Sequence, residues 1–453
     1  MEYEVVVIGA GIGGLTTAAV LAKRGVNVCL LERQSYAGGC AAIVEHAGHQ
    51  FEPTHGLYCG WESDGVFERL FSELAAPAPR ARLLSTPYLV RMPDGLDVPR
   101  ISNREDFEAS LRATFPECAD GAIDFYRHLT NPRMIKTQGL EHLGSCSRRF
   151  RGFIDIQLKT LAQRGSVACS PQLAASALDP RRSFWEIEGG VQALIDALVK
   201  SFKDSGGRLR LSSPVLRLAY GSDGSPIGLD LLNGERVAAT RAIVSNLTIW
   251  DTYGKLIGPA RTPRQISSAL KGMRAPGSYQ MFMTVAATVV TALAADRILL
   301  LTDFCDEESL EPEETQLSFY LSSGAERKMS GADRTAVVSA YTDAEDWFSF
   351  HEDLAAFEER DQSMLENVWT RLHLAMPELG AAADLIETAT PQTFYENTRR
   401  RFGMIGSPTP SAADSITAQP FPNLWLVGDT VTETFGAHGI VASALQAAHQ
   451  IMS

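Results

Sequence analysis

Three glycines near the start of the sequence, Gly9, Gly11 and Gly14, have the GxGxxG spacing of a turn that binds a pyrophosphate. In such a turn the first glycine permits the tight bend, the second lets a phosphate approach the backbone, and the third lets the next helix pack on the strand. Glu32 ends a second apolar segment, where it can accept hydrogen bonds from ribose hydroxyls. Because an acidic residue there disfavours a 2′-phosphate, we expect an NAD- or FAD-type adenosine as the ligand.

The segments around these residues have the pattern of a strand, a turn, a helix and a strand. Residues 5–8 form an apolar run typical of a buried parallel strand, and residues 15–24 predict a helix that ends at Gly25. Residues 27–31 predict the second strand. This context, more than the glycines alone, indicates a dinucleotide-binding fold, because the N-terminal amides of the helix face the place of an anion.

Later segments return to the same domain. Apolar residues at helical spacing after Val191 predict a helix that ends at Gly206. Further strands are predicted over 208–211, 215–218, 227–232, 236–239, 242–244 and 424–427, and a closing helix over 439–451. We expect an α/β protein with a Rossmann-type domain, a parallel sheet plus a β-meander, formed by residues 1–75, 183–250 and 392–453. An α+β substrate domain is inserted over residues 76–182, expected to be mostly helical, and residues 251–391.

Composition and charge exclude several functional classes. The 453 residues are 45% apolar and 21% charged, which suits a large folded core and excludes a disordered or fibrous chain. The net charge of −13 disfavours nucleic acid. Arg399, Arg400 and Arg401 could form a small cationic patch, but such a run is more often a solvated patch of the surface. Seven cysteines without CxxC spacing, Cys305 among them, argue against disulfides and a zinc site and favour a reducing cytoplasm.

We expect neither an export signal nor a membrane span. The first basic residue is Lys23, so the basic head of a secretory signal is missing. Residues 281–295 are the most apolar stretch, but a spanning helix needs roughly 18 to 20 residues, so this stretch should be a core segment. The protein is therefore expected in the cytoplasm, with peripheral membrane contact through an apolar patch left open.

Several stretches together resemble the phytoene desaturase, carotenoid isomerase and retinol saturase group of FAD flavoproteins, within the amine oxidase superfamily. They read VVVIGAGIGGLTTAAVLAKRG, EGGVQALIDAL, ATPQTFYENTRRRFGMIGSPTP and NLWLVGDTVTETFGAHGIVASALQAAHQI. The resemblance runs at intervals over nearly the whole chain, and the TPQT stretch is closer to carotenoid isomerases. It implies FAD as the cofactor, and we find no second GxGxxG for a nicotinamide.

The resemblance also implies which positions hold the cofactor. The glycine turn and its neighbours would hold the adenosine and pyrophosphate, and Val215 would lend its backbone to the adenine. Asp429 would hold the ribityl-phosphate end, and the start of the last helix would lie beneath the flavin pyrimidine. The full predicted set is Gly9, Gly11, Gly13, Gly14, Glu32, Arg33, Gly38, Gly39, Val215, Gly428, Asp429, Gly439 and Ile440.

The sequence departs from the group at two places. Where the group usually has Phe-Asp-x-Gly beside the isoalloxazine, residues 51–56 read FEPTHG, and the last helix opens with His438-Gly439 instead of Gln-Gly or Pro-Gly. Two histidines, His55 and His438, thus fall where the reactive face of the flavin is expected. They are candidates for an acid, a base or a donor to flavin oxygens, or they simply hydrogen-bond the backbone in a buried turn.

Other side chains near these histidines leave alternatives open. A covalent flavin link through His55 or Cys59 is one hypothesis. Tyr58, Trp61 and Tyr395 are candidates to line a flat apolar pocket for a conjugated chain. Alternatively, they are ordinary residues of the hydrophobic core.

The preferred functional hypothesis is an FAD-dependent enzyme that desaturates, saturates or isomerises a long hydrophobic polyene, an isoprenoid or a polyketide. Without a nicotinamide fold, electrons would be exchanged with oxygen, a quinone or a separate reductase. An amine or protoporphyrinogen-type oxidase is the first alternative, but it needs a steering carboxylate or aromatic cage that the sequence does not reveal. The second alternative is a non-catalytic FAD-binding protein.

Overall fold

The computed structural model describes residues 1–74, 76–101, 103–131, 140, 143–144, 146–304, 315–322, 333–349, 353–409, 416–433 and 435–453. Cys305 lies outside these residues. The strands are β1 (Glu2–Ile8), β2 (Val28–Leu31), β3 (Val44–His46), β4 (His49–Phe51), β5 (Ala81–Leu83), β6 (Leu89–Arg91), β7 (Asp97–Pro99), β8 (Trp185–Ile187), β9 (Arg208–Arg210), β10 (Val215–Tyr220), β11 (Pro226–Leu231), β12 (Arg236–Ser245), β13 (Gly277–Val285), β14 (Arg297–Leu301), β15 (Gln316–Leu321), β16 (Arg334–Thr342), β17 (Ala383–Ala389) and β18 (Leu424–Leu426). The helices are α1 (Ile12–Lys23), α2 (Val66–Glu73), α3 (Arg104–Thr114), α4 (Ala119–Leu129), α5 (Arg148–Ala162), α6 (Pro171–Leu178), α7 (Gly190–Asp204), α8 (Ile249–Asp251), α9 (Arg264–Gly272), α10 (Ala287–Val290), α11 (Leu354–Ala375), α12 (Pro391–Thr398) and α13 (Gly436–Met452).

The first sheet is the Rossmann-type sheet that the sequence predicts. Its strand order is β10-β11-β12-β1-β2-β9, and β18 pairs with β12. Strand β1 is parallel to both β2 and β12, whereas β10, β11 and the start of β12 form an antiparallel meander. Helices α1, α7 and α13 pack together on one face through Leu15, Leu194 and Val441. The carboxyl ends of β1, β2, β12 and β18 therefore meet at one edge, where ligands of such sheets bind.

A second sheet lies in the other part of the chain, with the order β17-β13-β16-β15-β14-β6-β7. It is antiparallel except for the parallel pair of β14 and β6. Helix α11 covers it, because Met364, Val368 and Leu372 pack against Tyr279 and Met281 of β13. The aromatic core of helices α3 to α6 lies beside it and includes Phe107, Phe115, Phe125, Phe150 and Phe153.

Several local predictions differ from the structure. The two strands predicted over 236–239 and 242–244 are one strand, β12, because its first half pairs with β11 and its second half with β18, while β1 runs along it. The closing helix begins at Gly436 instead of residue 439. The stretch over 281–295 divides into the buried end of β13 and a partly exposed turn with α10, so only its first part is core.

The helical insert also contributes strands. Within residues 76–182, β6 and β7 join the edge of the second sheet, next to β14. The domain boundaries stay a prediction. Among the described residues, no helix has both the length and the apolar character needed to cross a membrane.

Candidate functional site

The turn after β1 is built from glycines that leave no room for side chains. A Cβ atom on Gly14 would lie 2.1 Å from the carbonyl oxygen of Gly9, so α1 starts this close to β1 only because residue 14 is glycine. Gly9 has a φ of +92°, a conformation that strains other residues. Cβ atoms on Gly11 and Gly13 would lie 2.8 and 2.6 Å from the side-chain amide of Asn246. The result is a bare backbone surface that a phosphate can approach.

Glu32 lies at the end of β2 and fixes this turn. Its Oε2 accepts a hydrogen bond from the backbone N–H of Ala10 at 2.7 Å, and its Oε1 accepts one from Gln34 at 2.8 Å. A carboxylate has about four lone pairs, so two sites remain for ribose hydroxyls. The guanidinium of Arg33 donates instead to the carbonyl oxygen of Asn397 at 2.6 Å, which joins the rim of the site to the end of α12.

A cavity of ≈ 400 Å³ opens at this edge of the sheet. Its volume lies in the range of small-molecule sites. The predicted residues that line it are Gly9, Gly11, Gly13, Glu32, Arg33, Gly38, Gly39, Val215, Gly428, Asp429 and Ile440. Gly14 and Gly439 do not line it, because Gly14 is packed against the carbonyl of Gly9 and Gly439 lies inside the first turns of α13. The cavity thus joins the two ends of the chain in one cleft.

Asp429 forms an ion pair with Arg400 in the cleft. Its carboxylate accepts two hydrogen bonds from the guanidinium of Arg400, at 2.9 and 3.1 Å, and one from the N–H of Gly406 at 3.2 Å. The Arg400 side chain is 14% exposed, so the prediction of a solvated patch is wrong for this residue. Arg400 lies there because the segment after α12 runs beside Asp429, whose carbonyl oxygen also accepts a hydrogen bond from the Ser407 hydroxyl at 2.8 Å. The cleft therefore carries a positive charge beside its carboxylate.

Two further cleft residues were missed from the sequence. Asn246 follows β12, and its side chain lies against the glycine turn on one side and Gly428 on the other. Lys255 lines the cavity and forms an ion pair with Asp251 at 2.7 Å. The Ser-Asn pair at the end of a predicted parallel strand was the available signal for Asn246, because polar residues at such strand ends face the ligand site.

His55 lies outside the cavity, in the loop after β4. Burial, together with the charge of Arg297, lowers the pKa of His55 to about 4. The guanidinium of Arg297 donates to the carbonyl oxygens of His55 at 2.9 Å and Gly56 at 3.1 Å, and it pairs with Glu186 at 2.8 Å. The imidazole is therefore neutral near pH 7, and its backbone is fixed by a residue of the second sheet.

His438 also lies outside the cavity, in the first turn of α13. Its ring contacts the Phe435 ring edge-on, with centroids 4.6 Å apart. Burial lowers the pKa of His438 to about 4, with a further contribution from the charge of Arg182. This histidine is also neutral near pH 7.

The other candidates are held by neighbouring side chains. The Tyr58 hydroxyl donates to Glu52 at 2.8 Å, and Trp61 stacks on Phe67 with centroids 3.8 Å apart. Tyr395 contacts the ring of Phe348, at 5.2 Å between centroids. Burial raises the pKa of the Cys59 thiol to about 12, so it is not a thiolate near pH 7. Neither Cys59 nor these aromatic residues line the cavity.

Known proteins share the fold of this chain. The chain is 23% identical to a chloroplastic prolycopene isomerase of Daucus carota, with 99% of this chain and 80% of the relative covered. It is 25% identical to a phytoene desaturase of Cercospora nicotianae, over 66% of this chain and 53% of the relative. The crystal structure of an oxidoreductase from Methanosarcina mazei matches with a TM-score of 0.72 at 15% identity, over 99% of this chain and all of that one.

Family models match two parts of the chain. Residues 7–74 match an NAD(P)-binding Rossmann-like domain, which contains the glycine turn and Glu32. Residues 101–452 match the flavin containing amine oxidoreductases, and this match includes Asn246, Arg400 and Asp429. Because the second match spans more than half of the sequence, the chain belongs to the family of flavin-containing amine oxidoreductases, whose cofactor is a flavin.

Proposed function

We propose that this oxidoreductase binds FAD and desaturates, saturates or isomerises double bonds of a long hydrophobic polyene. The observation that supports FAD best is the single cleft in which the glycine turn, Glu32 and Asp429 face one another. The similarity to a prolycopene isomerase over 99% of the chain supports a polyene substrate. The resemblance of the TPQT stretch points in the same direction.

The described residues fit a flavin dinucleotide. Glu32 and the backbone of Val215 would hold the adenosine, and the glycine turn with Asn246 would hold the pyrophosphate. Asp429 and Arg400 would hold the ribityl end, since their paired charges offer both an acceptor and donors. Bound FAD supplies reversible hydride and electron transfer, and an external acceptor or donor such as oxygen, a quinone or a reductase completes the cycle.

The two histidines then have a defined protonation state. Because their pKa values are lowered to about 4, His55 and His438 are neutral imidazoles near pH 7. A neutral imidazole donates one hydrogen bond and accepts another, so it can orient a ligand or accept a proton. It is not a general acid in this state, because it is not protonated. The N-terminus of α13 adds the positive end of a helix dipole beside His438.

The described surroundings disfavour an amine as the substrate. An amine is cationic near pH 7, and His438 lies beside the positive charge of Arg182. An uncharged hydrocarbon chain is not repelled by this charge, so a polyene agrees better than an amine with the surroundings of His438.

The proposal is tested by incubating the purified flavin-loaded protein with prolycopene, with phytoene and with benzylamine, each with and without an added quinone. We expect chromatography to show a changed number or geometry of double bonds in a polyene, and no hydrogen peroxide from the amine. Protein stripped of flavin is the control. Bleaching of the flavin by the amine with unchanged polyenes would contradict the proposal in favour of an amine oxidase. A photoreduced flavin that no acceptor reoxidises would favour a non-catalytic protein.

A further inference from the structure

A buried arginine in the helical insert has no acidic partner. Arg100 follows β7 and is 4% exposed. Its guanidinium donates to the backbone carbonyl of Asp179 and lies 5.7 Å from the centroid of the Phe107 ring. Its Nη1 atom is buried without a hydrogen-bond partner, and within the described part of the chain no carboxylate forms an ion pair with it. Arginine is almost never this buried unless it is paired.

A second arginine nearby, Arg182, is partly buried, and no carboxylate of the described residues forms an ion pair with it. The Nε atom of Arg182 is buried without a partner, and its Nη2 reaches the Ser176 hydroxyl only at 3.5 Å. Its guanidinium lies 5.6 Å from the centroid of the Phe435 ring. The carboxylate closest in sequence, that of Asp179, is held by Arg181 at 2.8 Å.

Both arginines meet at the end of α6, where the guanidinium of Arg100 and the backbone N–H of Arg182 donate to the same carbonyl oxygen, that of Asp179. The charges of Arg182 and Arg100 both act on the thiol of Cys59, opposing the rise in its pKa that burial causes. The carboxylate of Glu62 also acts on this thiol, but it accepts a hydrogen bond from the N–H of Gly60 at 3.0 Å. Arg182 acts on His438 as well. The two arginines are therefore neighbours at the end of α6, and Arg182 also faces Phe435 at the start of α13.

Packing alone does not explain this arrangement. Arg100 caps the carbonyl end of α6 through Asp179, which uses one of its five N–H donors. Burying a guanidinium without an anion is strongly unfavourable, because its hydration is lost and not replaced. An anionic group on a ligand would offset that loss, and its planar oxygens would match the guanidinium fork.

We propose that the substrate is a polyene that ends in a carboxylate, and that Arg100 and Arg182 bind this carboxylate. The inference rests on the proposed function, since it names the chemical class of the same substrate. The hydrocarbon chain would extend from the arginines towards the first turn of α13, where Arg182 lies 5.6 Å from the Phe435 ring. The carboxylate fixes which end of the chain reaches His438, so it determines which double bond reacts.

The experiment compares a polyene acid with its neutral ester. Flavin-loaded protein is titrated at pH 8 with cis-parinaric acid and with its methyl ester, whose tetraene fluorescence rises in an apolar site. We expect the wild-type protein to bind the acid more tightly than the ester by about tenfold or more, the usual effect of a hydrogen bond to a charged group. In Arg100→Met and Arg182→Met the preference for the acid should shrink or disappear, with the affinity for the ester unchanged.

Two further variants make the comparison specific. Arg112→Met removes an arginine of α3 that is 54% exposed and pairs with Asp120, so it should keep the full preference for the acid. Arg100→Lys keeps the charge and should retain part of the preference. It also replaces Arg100→Met if that variant does not fold.

The outcomes separate the inference from the proposed function. Equal binding of acid and ester by the wild-type protein would contradict recognition of a substrate carboxylate, but it would not contradict a polyene substrate. If geranylgeranyl diphosphate displaces the bound probe at a far lower concentration than a polyene acid does, the arginines bind a diphosphate. That result would contradict recognition of a carboxylate. Binding of neither probe, together with flavin reduction by benzylamine, would overturn both.

Discussion

At the scale of single residues, the cleft depends on an ion pair that no local pattern reveals. Asp429 could be predicted because the resemblance to FAD flavoproteins implies a carboxylate at this position, shortly after the strand predicted over 424–427. Arg400 could not, since its neighbours Arg399 and Arg401 make it look like surface. Its burial depends on the turn that returns from α12 to β18.

Asp429→Ala should reduce both the flavin content and the stability of the protein. The substitution removes an acceptor and leaves Arg400 without its partner, so the free energy of unfolding of the flavin-free protein should fall by about 1.5 to 3 kcal/mol. Flavin content is read from the ratio of visible to ultraviolet absorbance. Asp120→Ala is the matched control, because that carboxylate is 91% exposed in its ion pair with Arg112. Unchanged flavin content would contradict the assignment.

The buried histidines should make stability depend on pH. The pKa of His55 is lowered to about 4 in the folded protein, whereas an unfolded histidine titrates near 6.5. Between these pH values the unfolded state binds more protons than the folded state. The contribution of His55 to the free energy of unfolding is therefore complete above pH 6.5 and is lost as the pH falls towards 4. Denaturant unfolding of His55→Gln should show a shallower loss over this window. An identical pH profile for both proteins would contradict the burial of a neutral imidazole.

At the scale of elements, the strand, glycine turn and helix at the N-terminus were predictable because all their determinants lie within about thirty residues of sequence. Strand β12 was not, since its unbroken length depends on β11 and β18, which pair with different halves of it. The start of α13 was placed three residues late for a similar reason: Phe435 at its N-cap makes no side-chain cap, so no sequence signal marks it.

Gly14→Ala should separate α1 from β1. The added Cβ would meet the backbone carbonyl of Gly9 at 2.1 Å, so the helix must shift and the turn must open. We expect destabilisation by about 1 to 3 kcal/mol and a loss of flavin, measured by thermal unfolding and absorbance. Gly272→Ala, where a Cβ meets no atom within 4 Å, should change neither. Retention of both stability and flavin by Gly14→Ala would show that the turn is not tightly packed.

At the scale of the whole molecule, Arg297 connects the second sheet to the loop of His55. It lies on β14, far in sequence from the two carbonyl groups that it holds, and its side chain is 4% exposed. The Rossmann-type sheet with its glycine turn could be predicted from the sequence, but this connection could not. It depends on the register of β14, which brings an arginine to the end of the strand beside the loop.

Arg297→Met should destabilise the protein by about 3 kcal/mol, because it breaks a buried ion pair with Glu186 and leaves two carbonyl oxygens without a donor. Arg82→Met removes a second cation that pairs with Glu186. The Arg82 side chain is 51% exposed, so its loss should cost less than about 1 kcal/mol. Chemical denaturation of the three proteins measures both effects. Equal losses for the two variants would contradict the connecting role of Arg297.

A crystallographic map of the purified protein at the edge of the first sheet tests whether the cleft binds FAD. We expect density for FAD in the cleft, with the adenosine at Glu32 and Val215 and the ribityl chain at Asp429 and Arg400. A nicotinamide dinucleotide in that cleft, or a cleft closed by side chains with no flavin in the purified protein, would contradict the account.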